Sequence, residues 1–343
     1  MKVKIVDGSE NYKENVFKVI FMPFTVCNYH CPYCFERNRS STSKIDRKKL
    51  DSFFNNFDNM VLNYIKQTEW KGEFNRLRKN LNLIGGEISL IPIDEMLDYL
   101  DRVKNLTVVK LTSNFSANIE WYKKFTEYCY KRRIECAILI SYHPTEISEK
   151  DFINKLIEYD KFLSDMIEKY SSKYVLDTVI KMVISSNQDM KRIFDIKEKY
   201  KNSLNHMHFK HNIDIESFKN IDKELLNKIK EINEYEKDYL KHKTKVFLEN
   251  GDVIEYLNPK IIPLHYDTTS NNDKYLCEYS LNFIFIDEDG EIKQNCSMSQ
   301  KSYGNIFKNE YNFVKRDSVI CNVHRCKHIG KFDNLSGSKI VIL

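Results

Sequence analysis

Cys27, Cys31 and Cys34 fall within eight residues, Cys-Asn-Tyr-His-Cys-Pro-Tyr-Cys, directly after an apolar run from Phe17 to Pro23. Thiolates this close together are metal ligands or a coincidence in a cysteine-rich chain. Iron–sulfur clusters are held by cysteine thiolates, and a four-iron cube normally takes four. Three would leave one iron without a protein ligand, and an open coordination position is what a catalytic metal site keeps and a structural one closes. Spacing alone also admits zinc, with His30 or a distant residue completing a tetrahedron, because both intervals suit a zinc-binding cysteine pair.

A second constellation lies near the other end. Cys277 is followed by a hairpin pattern, Leu281 to Cys296, that turns at Asp289-Gly290, then by Gly304-Asn305-Ile306 and the pair Cys321 and Cys326. The hairpin turn signal is strong. It carries Cys296 back towards Cys277, and the late pair can complete a four-thiolate site for zinc or an iron–sulfur cluster. Between the two constellations, polar residues recur at the ends of apolar runs: Gly85-Gly86-Glu87, Thr112-Ser113-Asn114 and Ser141-Tyr142-His143. Two adjacent glycines allow a tight turn or the close approach of a ligand. Ser141, Asn114 and Ser113 can bond a ribose or cap the next helix. His143, before Pro144, reads as a turn residue.

The elements that position these residues alternate. Strand patterns at Phe17–Pro23, Leu81–Ile84, Thr107–Thr112, Ile134–Ser141, Val175–Ser185 and Leu204–Lys210 are separated by segments of helical period, as in Leu50–Ile65 and Ser148–Tyr170. Ser148 with Asp151 marks a helix start. Such β-α units build a parallel sheet by right-handed crossovers. The expected fold is α/β, a partial (β/α)6 TIM-type barrel, with chemistry at the carboxyl ends of its strands. Residues 214–242 read as a charged helical segment, Lys243–Tyr256 as a hairpin turning at Asn250-Gly251-Asp252, and residues 268–273 as a loop.

With Tyr33 just before the last cysteine, the Cys27-Cys31-Cys34 triplet resembles the signature of the radical S-adenosylmethionine enzymes. The resemblance implies that the triplet holds a [4Fe-4S] cluster whose open iron is chelated by S-adenosylmethionine. It also implies cleavage to a 5′-deoxyadenosyl radical that abstracts hydrogen from the substrate. It makes Gly85-Gly86-Glu87 the motif that meets the methionine amino group, with Ile88 where proline is usual, and Ser141 and Asn114 the ribose contacts. It places the barrel at residues 17–213, after an extension at 1–16, with a charged helical linker at 214–274. Residues 275–343 resemble the small cysteine-rich auxiliary-cluster domain, SPASM in its longer form and twitch in its shorter one. Four cysteines, Cys277, Cys296, Cys321 and Cys326, suffice for one auxiliary [4Fe-4S] cluster. Four residues separate the late pair instead of the commoner two, leaving His324 and His328 as alternative ligands.

Enzymes of this arrangement commonly modify peptides. The expectation is therefore a cytoplasmic oxidoreductase that matures a ribosomally made peptide or protein by crosslinking, epimerisation or side-chain oxidation, reduced by a flavodoxin or ferredoxin. Some 16 residues precede the first strand, too few for a leader-binding domain, which counts against the peptide reading unless a separate leader-binding partner serves. The competing readings are a small-molecule dehydrogenase with the same clusters and a non-catalytic metal-binding or redox-sensing protein.

Bulk properties agree. The 343 residues are 42% hydrophobic and 30% charged, enough for a large domain and a smaller one. A net charge of +5 is spread along the chain, and the basic stretch Arg37 to Lys49 reads as a solvated loop and helix start, so no nucleic acid is expected. There is no apolar run long enough to span a membrane and no signal-peptide core. Nine cysteines without such a signal point to metal or redox chemistry instead of disulfides. Of the two cysteines outside both constellations, Cys129 lies on the apolar face of Trp121–Tyr130 and Cys136 in the fourth strand. Both are expected in the core, the sharper alternative being a hydrogen-atom donor to a substrate radical. His206 and His208 alternate onto one face near His211, a candidate metal group.

Overall fold

The computed structural model describes residues 3–6, 16–31, 34, 44–68, 74, 77–170, 178–184, 187–200, 202–213, 244–247, 253–256, 275–277, 283–294, 302–313, 319–321 and 339–342. In chain order the elements are β1 (Val3–Val6), β2 (Val16–Phe21), α1 (Arg47–Gln67), β3 (Arg78–Leu83), α2 (Ile93–Asp101), β4 (Leu106–Ser113), α3 (Ile119–Lys131), β5 (Glu135–Tyr142), α4 (Glu149–Tyr170), β6 (Thr178–Ile184), α5 (Asn187–Tyr200) and β7 (Met207–Ile213). Strands follow: β8 (Thr244–Phe247), β9 (Val253–Tyr256), β10 (Tyr275–Cys277), β11 (Phe283–Ile286), β12 (Glu291–Gln294), β13 (Ser302–Asn305), β14 (Glu310–Tyr311), β15 (Val319–Cys321) and β16 (Lys339–Ile342).

Strands β2 to β7 pair in parallel and in chain order within a ten-stranded sheet, giving a mixed α/β fold with a parallel core. Strands added in one direction by right-handed crossovers carry their helices on one face. The contacts agree. Phe21 stacks on Phe53 of α1 at 3.5 Å, Ser113 Oγ lies 2.8 Å from Tyr122 Oη of α3, and Tyr142 meets Phe152 of α4 at 4.6 Å. Phe17, Val19, Phe21, Leu81, Leu83, Val109, Leu111, Ile138 and Ile140 are buried on this face. Helix α1 presents Leu50, Phe53, Phe54, Phe57, Met60, Val61 and Tyr64 to it, an i, i+3, i+4 stripe. Asp46 caps the helix by accepting from Lys48 N and Lys49 N. Ser148 caps α4 as expected, accepting from Asp151 N at 3.1 Å, a bond of the kind that contributes about 1 kcal/mol. The alternate residues Lys18, Ile20, Asn80, Asn82, Lys110, Thr112, Leu139 and Ser141 are half-buried on the opposite face.

The sheet continues beyond β2. Strand β11 pairs with β2 in parallel, and the β11–β12 hairpin and β13–β14 extend that edge. Gly290 occupies the expected turn at φ +79°. Helix α1 fastens this region: Asn56 Nδ2 donates to Ile306 O at 2.8 Å and Gln67 Nε2 to Tyr311 O at 3.0 Å. A second sheet runs β15-β10-β1-β16-β8-β9, and β8 and β9 pair antiparallel, as the hairpin reading of Lys243–Tyr256 expects. The charged segment 214–242 and the loop 268–273 lie outside the described residues. No described helix is long and apolar enough to cross a membrane.

Candidate active site

The cysteine loop leaves the carboxyl end of β2 and is pinned to the end of β3. Gly86 N donates to Phe24 O at 2.9 Å and Glu87 N to Val26 O at 2.8 Å. A Cβ on Gly86 would sit 1.8 Å from Val26 O, and one on Gly85, at φ +128°, 2.5 Å from Phe24 O. The glycine pair is thus demanded by contact between two chain segments, where the sequence suggested a turn or a ligand.

Glu87 is fully buried. Its Oε1 accepts from Ser89 N (2.9 Å), Ser89 Oγ (2.5 Å) and Ser113 Oγ (2.7 Å), and its Oε2 from Asn114 N (2.6 Å). Burial pushes its pKa up, and these four bonds oppose that shift. The carboxylate therefore locks the end of β3 to the end of β4, engaged entirely within the chain. Asn114 carries the lock onward. Its Nδ2 donates to Asn28 Oδ1 at 3.0 Å and lies 3.6 Å from Cys27 Sγ, while Ser116 Oγ donates to Asn28 Oδ1 at 3.3 Å.

Cys27 is 8% exposed, and Cys31 and Cys34 are half-buried. Tyr29 N donates to Cys27 Sγ at 3.4 Å, and Cys34 N closes a turn on Cys31 O at 3.1 Å. His143, at the end of β5, brings its Nδ1 to 3.2 Å from Cys31 Sγ. Its carbonyl accepts from Glu146 N and Ile147 N, so the turn role holds for its backbone alone. The Tyr29 ring meets the His143 ring edge-on at 5.8 Å, and burial raises the Tyr29 pKa to about 12. Asn28, Tyr29 and the His143 ring are the parts of the site that sequence reasoning missed. Asn28 and Tyr29 sit inside the triplet, the one signal that marked them.

Ser141 is half-buried on the helix-free face, in register with Lys181 of β6. Cys277 and Cys321 occupy diagonal register positions of the antiparallel pair β10–β15. Tyr33, Cys296, Cys326, His324 and His328 lie outside the described residues. Cys129 and Cys136 are buried on the helix side, as expected of core cysteines. His206 N donates to Asp160 Oδ1 at 2.8 Å and its ring bonds Ser164 Oγ at 3.1 Å, which turns it towards α4.

Among the described residues no three His, Cys, Asp or Glu side chains converge on a single ion. A four-iron cube holds its thiolates farther apart than one ion does. The loop offers three thiols, and the N–H groups of Tyr29 and Asn114 that face Cys27 Sγ favour thiolate charge there. Three thiols on one loop are the kind of donor set that holds an iron–sulfur cluster.

No protein-family profile matches the chain, and no curated protein matches it. Three solved structures of SuiB from Streptococcus suis are similar. SuiB bound to S-adenosylmethionine is 14% identical with a TM-score of 0.45, over 89% of this chain and 64% of that one. SuiB bound to the precursor peptide SuiA is 15% identical with a TM-score of 0.46, over 89% and 65%. SuiB alone is 14% identical with a TM-score of 0.43, over 86% and 64%. The chain spans just under two thirds of the length of SuiB. At such low identity and TM-score, the reading of its chemistry rests on the site itself.

Proposed function

We propose that this chain is a radical S-adenosylmethionine enzyme that modifies a ribosomally made peptide or protein. The supporting observation is the locked assembly at the carboxyl ends of β2, β3 and β4: a three-cysteine loop, the Gly85-Gly86-Glu87 segment hydrogen-bonded to it, and Asn114 bonded to Asn28 within the loop. Consecutive parallel strands with helices on one face and half-buried residues on the other suit a partial six-unit barrel, whose strand ends are where such folds carry chemistry.

In this reading Cys27, Cys31 and Cys34 hold a [4Fe-4S] cluster. When bound, that cluster supplies an electron to cleave S-adenosylmethionine and so generate a hydrogen-abstracting radical. The chain's own residues fix the geometry. Glu87 and Asn114 set the relative positions of the loop and of β3 and β4. The N–H groups of Tyr29 and Asn114 stabilise charge on Cys27 Sγ. In the same reading Ser141 and Asn114 orient a ribose, and Gly85 and Gly86 let backbone approach the methionine end. Cys277, Cys296, Cys321 and Cys326 hold an auxiliary cluster in a SPASM- or twitch-like C-terminal region, with a flavodoxin or ferredoxin as reductant in the cytoplasm. Holding a radical against one C–H bond depends on such positioning, since effective molarity falls steeply with misplacement.

The test is anaerobic reconstitution, reduction with dithionite and chromatography for 5′-deoxyadenosine. Its formation, abolished in Cys31→Ala, is the expected result. Full clusters with no 5′-deoxyadenosine would leave a metal-binding or redox-sensing protein. The mass change on a candidate peptide then identifies the modification: loss of two hydrogens for a crosslink or oxidation, none for epimerisation.

A further inference from the structure

The helix-free face of the sheet carries polar residues at positions that a filled barrel would make apolar. Closed barrels pack that side with layers of branched side chains. Here one register row runs Phe285, Ile20, Asn82, Lys110 and Ala137 across β11, β2, β3, β4 and β5. Asn82 Oδ1 is buried and has no hydrogen-bond partner among the described residues. Lys110, its register neighbour on β4, is half-buried and makes no hydrogen bond or ion pair among them. Side chains so placed have Cβ atoms about 5 Å apart, yet these two do not bond each other. The nearby acid, Glu135, is engaged by Arg78 at 2.9 Å. Burial lowers the pKa of Lys110, with Glu135 opposing. A buried acceptor without a donor, beside a half-buried ammonium whose nearby acid already pairs with Arg78, weakens a fold unless a ligand completes both.

We infer that Asn82 and Lys110 form a recognition pair for a carboxylate with an adjoining N–H on the substrate. Lys110 Nζ donates to the carboxylate, and Asn82 Oδ1 accepts the N–H. A peptide offers that combination at an acidic residue and at its carboxyl-terminal residue. The pair lies below the cysteine loop: Asn82 is three residues before Gly85 on the same strand. The inference deepens the peptide reading above and rests on it for the identity of the ligand.

The reconstituted protein is titrated, with ligand-observed NMR, against three probes. N-acetylalanine carries a terminal carboxylate, N-acetylaspartate N-methylamide a side-chain carboxylate, and N-acetylasparagine N-methylamide neither. One or both acids are expected to bind at least tenfold more tightly than the neutral probe, and the stronger one identifies the source. Lys110→Met and Asn82→Leu should each lose tenfold or more while unfolding at the wild-type temperature or above it. Equal binding of the neutral probe, unchanged binding by Lys110→Met, or displacement of the acids by S-adenosylmethionine would overturn the assignment. If 5′-deoxyadenosine forms but no acid binds, this inference alone fails. If full clusters give no 5′-deoxyadenosine, the enzyme reading fails instead, whatever the probes do.

Discussion

Replacing Gly86 with alanine should dislodge the cysteine loop. The new methyl carbon would lie 1.8 Å from Val26 O, 2.5 Å from Val26 C and 2.7 Å from Thr25 C, all backbone atoms that no rotamer change can move aside. Relief requires the Val26 carbonyl to retreat to an ordinary contact of about 3.4 Å. That breaks the bond from Glu87 N to Val26 O and strains the one from Gly86 N to Phe24 O. Overpacking of this kind costs about 1–3 kcal/mol, and two backbone hydrogen bonds add about 0.5–1.5 kcal/mol each. The total, roughly 2–6 kcal/mol, lowers Tm by at least about 4 °C in a domain of this size. Cys27 follows Val26 directly, and a displacement of about 1 Å at a reacting geometry costs on the order of a hundredfold in rate. The assays are thermal unfolding, iron per chain after reconstitution and 5′-deoxyadenosine formation. A variant with wild-type Tm and iron content that lost only S-adenosylmethionine affinity would refute the argument and return the glycines to a purely ligand-facing role.

Four further outcomes follow from the same geometry. Glu87→Leu leaves the N–H groups of Ser89 and Asn114 buried without an acceptor, at about 1–3 kcal/mol each; a loss under about 1 kcal/mol in urea unfolding would contradict the lock. Asp58→Ala strips the carboxylate from the fully buried Lys79, whose Nζ lies 2.7 Å away, and should destabilise by about 3–5 kcal/mol, whereas Lys79→Met should cost much less. His143→Phe removes the ring nitrogen 3.2 Å from Cys31 Sγ; a cluster-bound thiolate there would accept from that nitrogen, so the variant should lower the reduction potential of the cluster in an EPR-monitored titration, with iron content unchanged. Stability should rise from about pH 8 to about pH 10: burial lowers Lys155 to about 8 and also lowers Lys79 and Lys110, so these three lysines bind more protons in the unfolded chain in that window, against the single opposing proton of Cys129, whose thiol burial pushes up. Above about pH 10 the trend reverses, because Tyr29 and Tyr128 are held near 12 and the folded chain then keeps protons that the unfolded chain loses. Tm measured across pH 7–11, with Lys155→Met flattening the rising limb, checks both signs.

The parallel units were legible because each strand pattern and its following helix are local signals. The triplet, the glycine pair and the Asp289-Gly290 turn were legible for the same reason. The one-sided polarity was also readable, since Phe17-Lys18-Val19-Ile20-Phe21 and Lys79-Asn80-Leu81-Asn82-Leu83 alternate in part, whereas parallel strands covered on both faces run continuously apolar. Pairing of β11 with β2 was not legible, because contacts between distant segments leave no local trace. Nor was the function of Glu87: its four partners come from residues 89, 113 and 114, and no spacing rule joins them. His143 looked like a turn residue because Pro144 follows it, and only the third dimension sets its ring beside Cys31.

The union of β2 with β11 also bears on how the protein comes into being. Strand β2 is made before β11 and would pair with β3 as soon as that unit emerges, but its other edge stays open until β11, far later in the chain, leaves the ribosome. An open strand edge invites association between nascent chains, and contacts this distant in sequence form slowly. The segment that would receive iron thus hangs from a half-paired strand until β11 has been made. Insertion of metal before release would act on an unfinished scaffold, so yield of soluble protein should respond more to chaperone supply and growth temperature than to iron.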